Sequence, residues 1–186
     1  EDLESQMVDI DWIYAQKEYI ANLSPELQQI LTTYTYKGDT VLSMWIDNNF
    51  MVDGNVLGYL TNPENQELLD EILSSYPEQG MDVMKIQSWL SNFYLSLNSI
   101  ILNAPPLPRD TVVLRGLSSE DYVPKPNRFV STSLDSYIAL LFAEKLLLKI
   151  SLPAGFRCLL MTYKSKFSRE YEILLPSKTS LKITKP

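Results

Sequence analysis

Three observations in the sequence predict an α+β fold. Apolar residues recur at helical spacing through residue 104, they fall into short runs divided by turn signals from residue 105 onward, and a proline cluster separates the two regimes. The expected organisation is one domain over residues 1–186, with a helical lobe at 1–104 and a β-rich core at 105–186. A length of 186 residues with 45% hydrophobic and 21% charged side chains is ample for a packed interior.

In chain order, Ser24 before Pro25 marks a helix start. The serine is placed to cap free amides, and proline at the first helical position lacks only a donor that would have no intrahelical partner. Asn62 before Pro63 repeats the device. Between them, residues 40–50 put Val41, Leu42, Trp45 and Ile46 on one helical face. Residues 84–101 do the same with Ile86, Leu90, Phe93, Tyr94, Leu97 and Ile101. Such stripes are core. Pro105, Pro106 and Pro108 then halt helix formation and form the expected hinge between the halves. Six runs follow as expected strands of a compact sheet or sandwich, at 111–115, 128–133, 146–152, 156–163, 171–175 and 180–184. Their turns are signalled by Pro153 with Gly155 and by Pro176 with Lys178. Residues 135–145 break the series as an expected helix capped by Asp135.

Composition excludes several functions. A net charge of −7 opposes general attraction to nucleic acid or anionic lipid. The single cysteine, Cys158, lies in the apolar run 156–160 and reads as a buried, inert thiol that forms no intramolecular disulfide. With no histidine, neither a usual zinc site nor imidazole catalysis is expected, so no metal is assigned. The best apolar run, 138–142, is cut by Glu144 and Lys145, far short of the roughly 20 residues of a spanning helix. The chain opens on Glu1 rather than methionine, as a processed product or excised fragment would.

Three pieces of the strand-rich half place polar groups where a buried strand should be apolar: Leu114-Arg115-Gly116, Ser131-Thr132-Ser133, and Glu170-Tyr171-Glu172. Each alone has an ordinary explanation, as a snorkelling arginine, an exposed strand or a strand's wet face. In this order, with the Pro153 to Gly155 turn and the apolar run 173–176, they resemble the mono-ADP-ribosyltransferase family, whose motif is arginine, then Ser-Thr-Ser, then Glu-x-Glu. The resemblance extends to Tyr34-Thr35 with Gly38, similar to an early helical segment of the family, and to residues 139–142, similar to its helix after Ser-Thr-Ser. Leu114 departs from the pattern, which commonly has an aromatic residue before the arginine.

The chemistry of that family suits these residue types. Arg115 can pair bidentately with the NAD diphosphate, and Gly116 lets a ligand approach the backbone. Glu172 can accept a hydrogen bond from a ribose hydroxyl and stabilise the positive sugar formed as nicotinamide leaves. Ser131 is expected to orient Glu172 and the ribose, with Thr132 and Ser133 supporting it; in a strand Ser131 and Ser133 share a face. If the last strand already runs at Glu170, its carboxylate projects with that of Glu172, placed to grip an acceptor guanidinium and take its proton.

The resemblance implies a helical lobe packed on a mixed, mainly antiparallel β-sandwich with the NAD cleft between them. It also implies arginine as acceptor, since a glutamate at the place of Glu170 goes with arginine and a glutamine with asparagine or cysteine. Residues 164–169 look like the substrate-recognition turn, where Phe167, with Tyr163, would meet the partner protein, and where three cations would favour an acidic surface on it. Phe129 and Phe142 are candidates to approach the nicotinamide, with core packing as the plainer role. The expected partners are NAD and a target protein bearing an acceptor arginine, with no nucleic acid, no membrane and a monomeric chain, secreted or delivered into a host cell. Rival functions are an NAD glycohydrolase, a transferase with another acceptor, and a catalytically silent interaction module.

Overall fold

The computed structural model describes residues 9–118, 125, 127–135, 139–140, 143–161, 171–182 and 184. The chain forms two compact units, one of Glu1–Ser24 with Ser99–Pro186 and one of Pro25–Asn98.

The first unit is built on one five-stranded antiparallel sheet: β1 (Thr111–Leu117), β2 (Val130–Ser133), β3 (Leu146–Leu152), β4 (Leu159–Leu160) and β5 (Glu172–Leu175), in the order β3-β1-β2-β5-β4. Period-2 alternation sends Val113, Val130, Ile150, Leu152, Leu160, Ile173 and Leu175 into one core. Helix α1 (Ile10–Ala21) covers that core with Trp12. Its start is capped by the Asp9 carboxylate, which accepts from the Asp11 amide at 2.8 Å. Trp12, Gln16 and Ile20, one turn apart, form its buried face.

Several expectations change here. The described strands make a single sheet rather than a sandwich. Of the expected strand 156–163, the described residues 156–161 hold Leu159–Leu160 as strand, preceded by a bridge between Pro106 and Arg157. No described residue of 180–184 is in a strand: Lys178 takes a left-handed φ of 65°, the Thr179 hydroxyl closes the turn on the Pro176 carbonyl, and Leu181 packs on the core instead of entering the ladder. In the expected helix 135–145 only Ala139 and Leu140 are helical among the described residues, and β3 starts directly after Lys145. The proline segment is no loose hinge. The Pro105 carbonyl accepts from the Trp12 indole and the Gln16 amide, both at 3.0 Å, and Leu107 exchanges backbone bonds with Gly155 and Phe156. Gly155 supplies the φ of 86° that this turn requires.

The second unit is helical: α2 (Pro25–Thr33), a π-helical turn (Tyr34–Gly38), α3 (Asp39–Asp47), α4 (Gly54–Thr61), a 3-10 turn (Pro63–Asn65), α5 (Gln66–Ser75) and α6 (Asp82–Leu102), whose last turn from Ser99 belongs to the first unit. Val41, Leu42, Trp45 and Ile46 are buried on α3, as the periodicity predicts, and so are the six apolar positions expected on α6. Gln87 ties the loop after α3 to α6: its side chain accepts from the Trp45 indole and the Val52 amide and donates to the Phe50 carbonyl at 2.8 Å. Among the described residues no helix is long and apolar enough to cross a membrane.

Candidate active site

The sheet register brings two of the three motifs onto one face. Ser133 lies opposite Glu172, and Ser131 opposite Leu174, so Ser131, Ser133 and Glu172 project away from the core that takes Ile173 and Leu175. Ser131 and Glu172 are thus diagonal cross-strand neighbours, a spacing long side chains can span. The Ser131 hydroxyl donates a hydrogen bond to the Glu172 carboxylate. Thr132 points to the opposite face, where its buried hydroxyl donates to the Ile173 carbonyl at 2.7 Å and locks β2 to β5. Ser133 closes the end of β2: its hydroxyl accepts from the Asp135 amide at 3.0 Å.

The third motif enters through a gap in the sheet. β1 and β2 share one registered pair, Leu114 with Ser133. Continued, that register would set Arg115 opposite Thr132 and Gly116 opposite Ser131, but the ladder stops. The Ser131 carbonyl accepts instead from Nη1 of Arg115 at 2.7 Å. One nitrogen of the guanidinium therefore holds the strand that carries Ser131. Its Nε is buried without a hydrogen-bond partner among the described residues. An orphaned buried donor of this kind costs about 1–3 kcal/mol, and more when charged, so it marks a place for an acceptor oxygen.

These groups line a cavity of ≈ 270 Å³ with Leu114, Gly116 and Ala139. Leu114 and Ala139 are lining residues the sequence did not reveal, because apolar side chains beside a motif carry no signal that separates lining from core. A second cavity of ≈ 260 Å³ lies in the helical unit and includes Glu64, Glu67 and Glu71. Its one cation, Lys37, donates to the Glu64 carbonyl. That acidic lining repels a diphosphate, whereas the sheet cavity presents an arginine. Among the described residues no group of three His, Cys, Asp or Glu could hold a metal ion.

Glu172 is the first residue of β5, and Tyr171 before it has a left-handed φ of 46°. The same-face rule for residues two apart holds along extended backbone, so the condition on which Glu170 was expected to share a face with Glu172, a strand already running there, is not met at Tyr171. Glu170, Phe167, Tyr163 and Phe142 lie outside the described residues. Phe129, just before β2, is half-buried.

Residues 117–186 match the family model of the ADP-ribosyltransferase exoenzymes. The resemblance read from the motifs is borne out. Comparison with curated protein sequences gives no match. Among solved structures the fold is similar to Plx2a, an ADP-ribosyltransferase toxin from Paenibacillus larvae, at TM-score 0.53 and 15% identity over 92% of this chain and 87% of that one. It is also similar to the C3 exoenzyme of Clostridium limosum, at TM-score 0.57 and 14% identity over 93% and 84%. An ADP-ribosylating toxin of C. perfringens, BECa, determined with NADH, aligns at TM-score 0.55 and 16% identity over 89% of this chain and 39% of its own. The α+β architecture is therefore the one seen in bacterial ADP-ribosyltransferase toxins.

Proposed function

We propose that this chain transfers ADP-ribose from NAD to an arginine side chain of a target protein and releases nicotinamide. The observation that carries the reading is the convergence in one cavity of a Ser131-bound Glu172 carboxylate and an arginine with an orphaned buried donor. The exoenzyme family match over residues 117–186, which hold Ser131 and Glu172 but not Arg115, supports it, as does a neighbour of the same fold determined with NADH.

In this reading the remaining donors of Arg115 take diphosphate oxygens of NAD, and Gly116 admits the ligand to the backbone. The bond from the ribose carbon to nicotinamide breaks, and the bonding pair leaves with nicotinamide, neutralising its ring. The positive charge left on the sugar is stabilised by Glu172, which Ser131 holds in place through a hydrogen bond made before substrate arrives. A guanidinium nitrogen then bonds to the freed carbon, and its proton passes to a carboxylate, the role assigned to Glu170. Phe167 and Tyr163 would contact the target protein. The relatives named as toxins suggest secretion or delivery into another cell as the setting.

The test is to incubate the chain with labelled NAD and a cell lysate and map modified residues by mass spectrometry. Label on arginine, labile to hydroxylamine, is the expected result. Label on another side chain would overturn the acceptor assignment, and free nicotinamide without labelled protein would make the chain a glycohydrolase. Glu172→Gln, nearly isosteric, should lower NAD cleavage on the order of 10²–10³-fold at unchanged folding. Unchanged turnover in that variant would remove Glu172 from the mechanism.

A further inference from the structure

The residue between the two glutamates contributes more than spacing. Along β5, Ile173 and Leu175 point into the core and Glu172 points away. A regular extended strand would send Tyr171 to the core side with them. Its φ of 46° breaks the alternation and leaves the side chain 41% exposed. The backbone is held on both sides in this state: the Tyr171 carbonyl accepts from the Leu134 amide at 3.2 Å, and the Glu172 carbonyl accepts from the Met161 amide at 2.8 Å. A left-handed backbone is unfavourable for a tyrosine, and asparagine or glycine fills such positions at lower cost. Here a disfavoured backbone and an exposed aromatic ring coincide at the residue joined directly to Glu172. A turn alone requires neither the ring nor the tyrosine.

We infer that Tyr171 is an acceptor-binding residue whose ring forms a platform for the incoming guanidinium. The inference rests on the arginine-transfer reading and adds to it the group that holds the acceptor in place. Consecutive Cα atoms lie about 3.8 Å apart, which anchors the exposed ring one residue from Glu172 and outside the cavity lining itself, where a cation coming from solvent toward Glu172 would meet it. A guanidinium is planar, weakly hydrated and suited to lie flat on an aromatic face within about 6 Å of its centre. The π-face attracts the cation without changing its protonation, so it favours binding and orientation, while proton removal stays with a carboxylate. The platform therefore acts on acceptor affinity and on the division between transfer and hydrolysis.

The experiment compares the wild-type chain with Tyr171→Asn and Tyr171→Phe, using NAD and agmatine, a small guanidino compound, as acceptor. Asparagine tolerates the left-handed backbone and removes the ring; phenylalanine keeps the ring and removes the hydroxyl. Tyr171→Asn should raise the KM for agmatine roughly 2- to 30-fold, with a much smaller change in kcat, and lower the ratio of transfer to hydrolysis. Tyr171→Phe should restore the wild-type KM, and the Asn variant should melt no lower than the wild type. An unchanged KM in Tyr171→Asn, or equal loss in Tyr171→Phe, would overturn the platform while leaving arginine transfer intact. A wild-type chain that cleaves NAD but modifies no guanidino acceptor would overturn both.

Discussion

Gln16 shows how one polar side chain stabilises the sheet that carries the site. It is fully buried on α1, donates from Nε2 to the Cys158 and Pro105 carbonyls at 3.0 Å, and accepts from the Leu160 amide at 3.0 Å. Among the described strands β4 lies at the edge and pairs with β5, so its outer backbone groups need partners from outside the ladder. The carboxamide supplies both a donor and an acceptor and closes that edge. Gln16→Ala leaves the Leu160 amide and the Cys158 carbonyl facing a void, while the Pro105 carbonyl keeps the Trp12 indole, and should destabilise the sheet unit by about 2–4 kcal/mol, read as a lower urea midpoint by tryptophan fluorescence. A loss below about 0.5 kcal/mol would mean that water replaces the carboxamide at no cost. Nothing in the sequence announced this role, since a lone glutamine between Trp12 and Ile20 reads as a polar interruption of an apolar stripe. Arg115, Ser131 and Glu172 were legible for the opposite reason. Their residue types are anomalous in strands, and the strand period alone places Ser131 and Glu172 on a shared face once the register is known.

At the level of elements, long periodic segments were readable and short irregular ones were not. α6 repeats its apolar positions over 21 residues, so its buried face follows from sequence alone. β4 has two residues and no period to detect. The left-handed Tyr171 makes β5 start one residue later than the pattern suggests, because a single positive φ has no sequence signature when the residue is neither glycine nor asparagine. The π-helical turn Tyr34–Gly38 shows both cases, since Gly38 stands out in the sequence but its reason does not. Its φ of −68° is ordinary, so its need is spatial. A Cβ there would lie 2.8 Å from the Thr33 carbonyl oxygen and 3.0 Å from Cζ of Phe93. Alanine favours a helix over glycine by about 1 kcal/mol, whereas forcing a backbone oxygen and a buried ring apart typically costs 1–3 kcal/mol. Gly38→Ala should therefore lower the stability of the helical unit by about 1–2 kcal/mol, seen in the fluorescence of Trp45 and Trp89. A gain in stability would show that the turn relaxes into a regular α-helix without resistance.

For the whole molecule, the chain order of the units explains what a linear reading misplaces. A segmentation at the proline cluster assigns α1 to the helical half, yet α1 clusters with the sheet because Trp12 packs into its core and Gln16 bonds to the Cys158 carbonyl and the Leu160 amide. Such a return is invisible to local periodicity, which reports that a face is buried but not against what. Composition, by contrast, acts globally and was legible: without histidine the chain lacks the side chain whose ordinary pKa lies near neutrality, so stability should vary little between about pH 6 and 8. The strongest alkaline dependence then comes from Cys158. Burial pushes its thiol up to about 12, from an ordinary value of 9.0. Because the folded pKa is the higher, the thiol's contribution to stability is fully present below pH 9.0 and is lost progressively as pH rises toward 12. In that window the unfolded chain releases a proton the folded chain retains, a slope of at most about 1.4 kcal/mol per pH unit. Cys158→Ala should begin less stable, from the lost packing of a fully buried side chain, and fall more slowly as pH rises from 9 to 10.5 in urea titrations of the two proteins. Parallel curves would mean that the thiol ionises as readily in the folded protein as in the unfolded one, through a local opening of β4 that the Gln16 carboxamide fails to prevent.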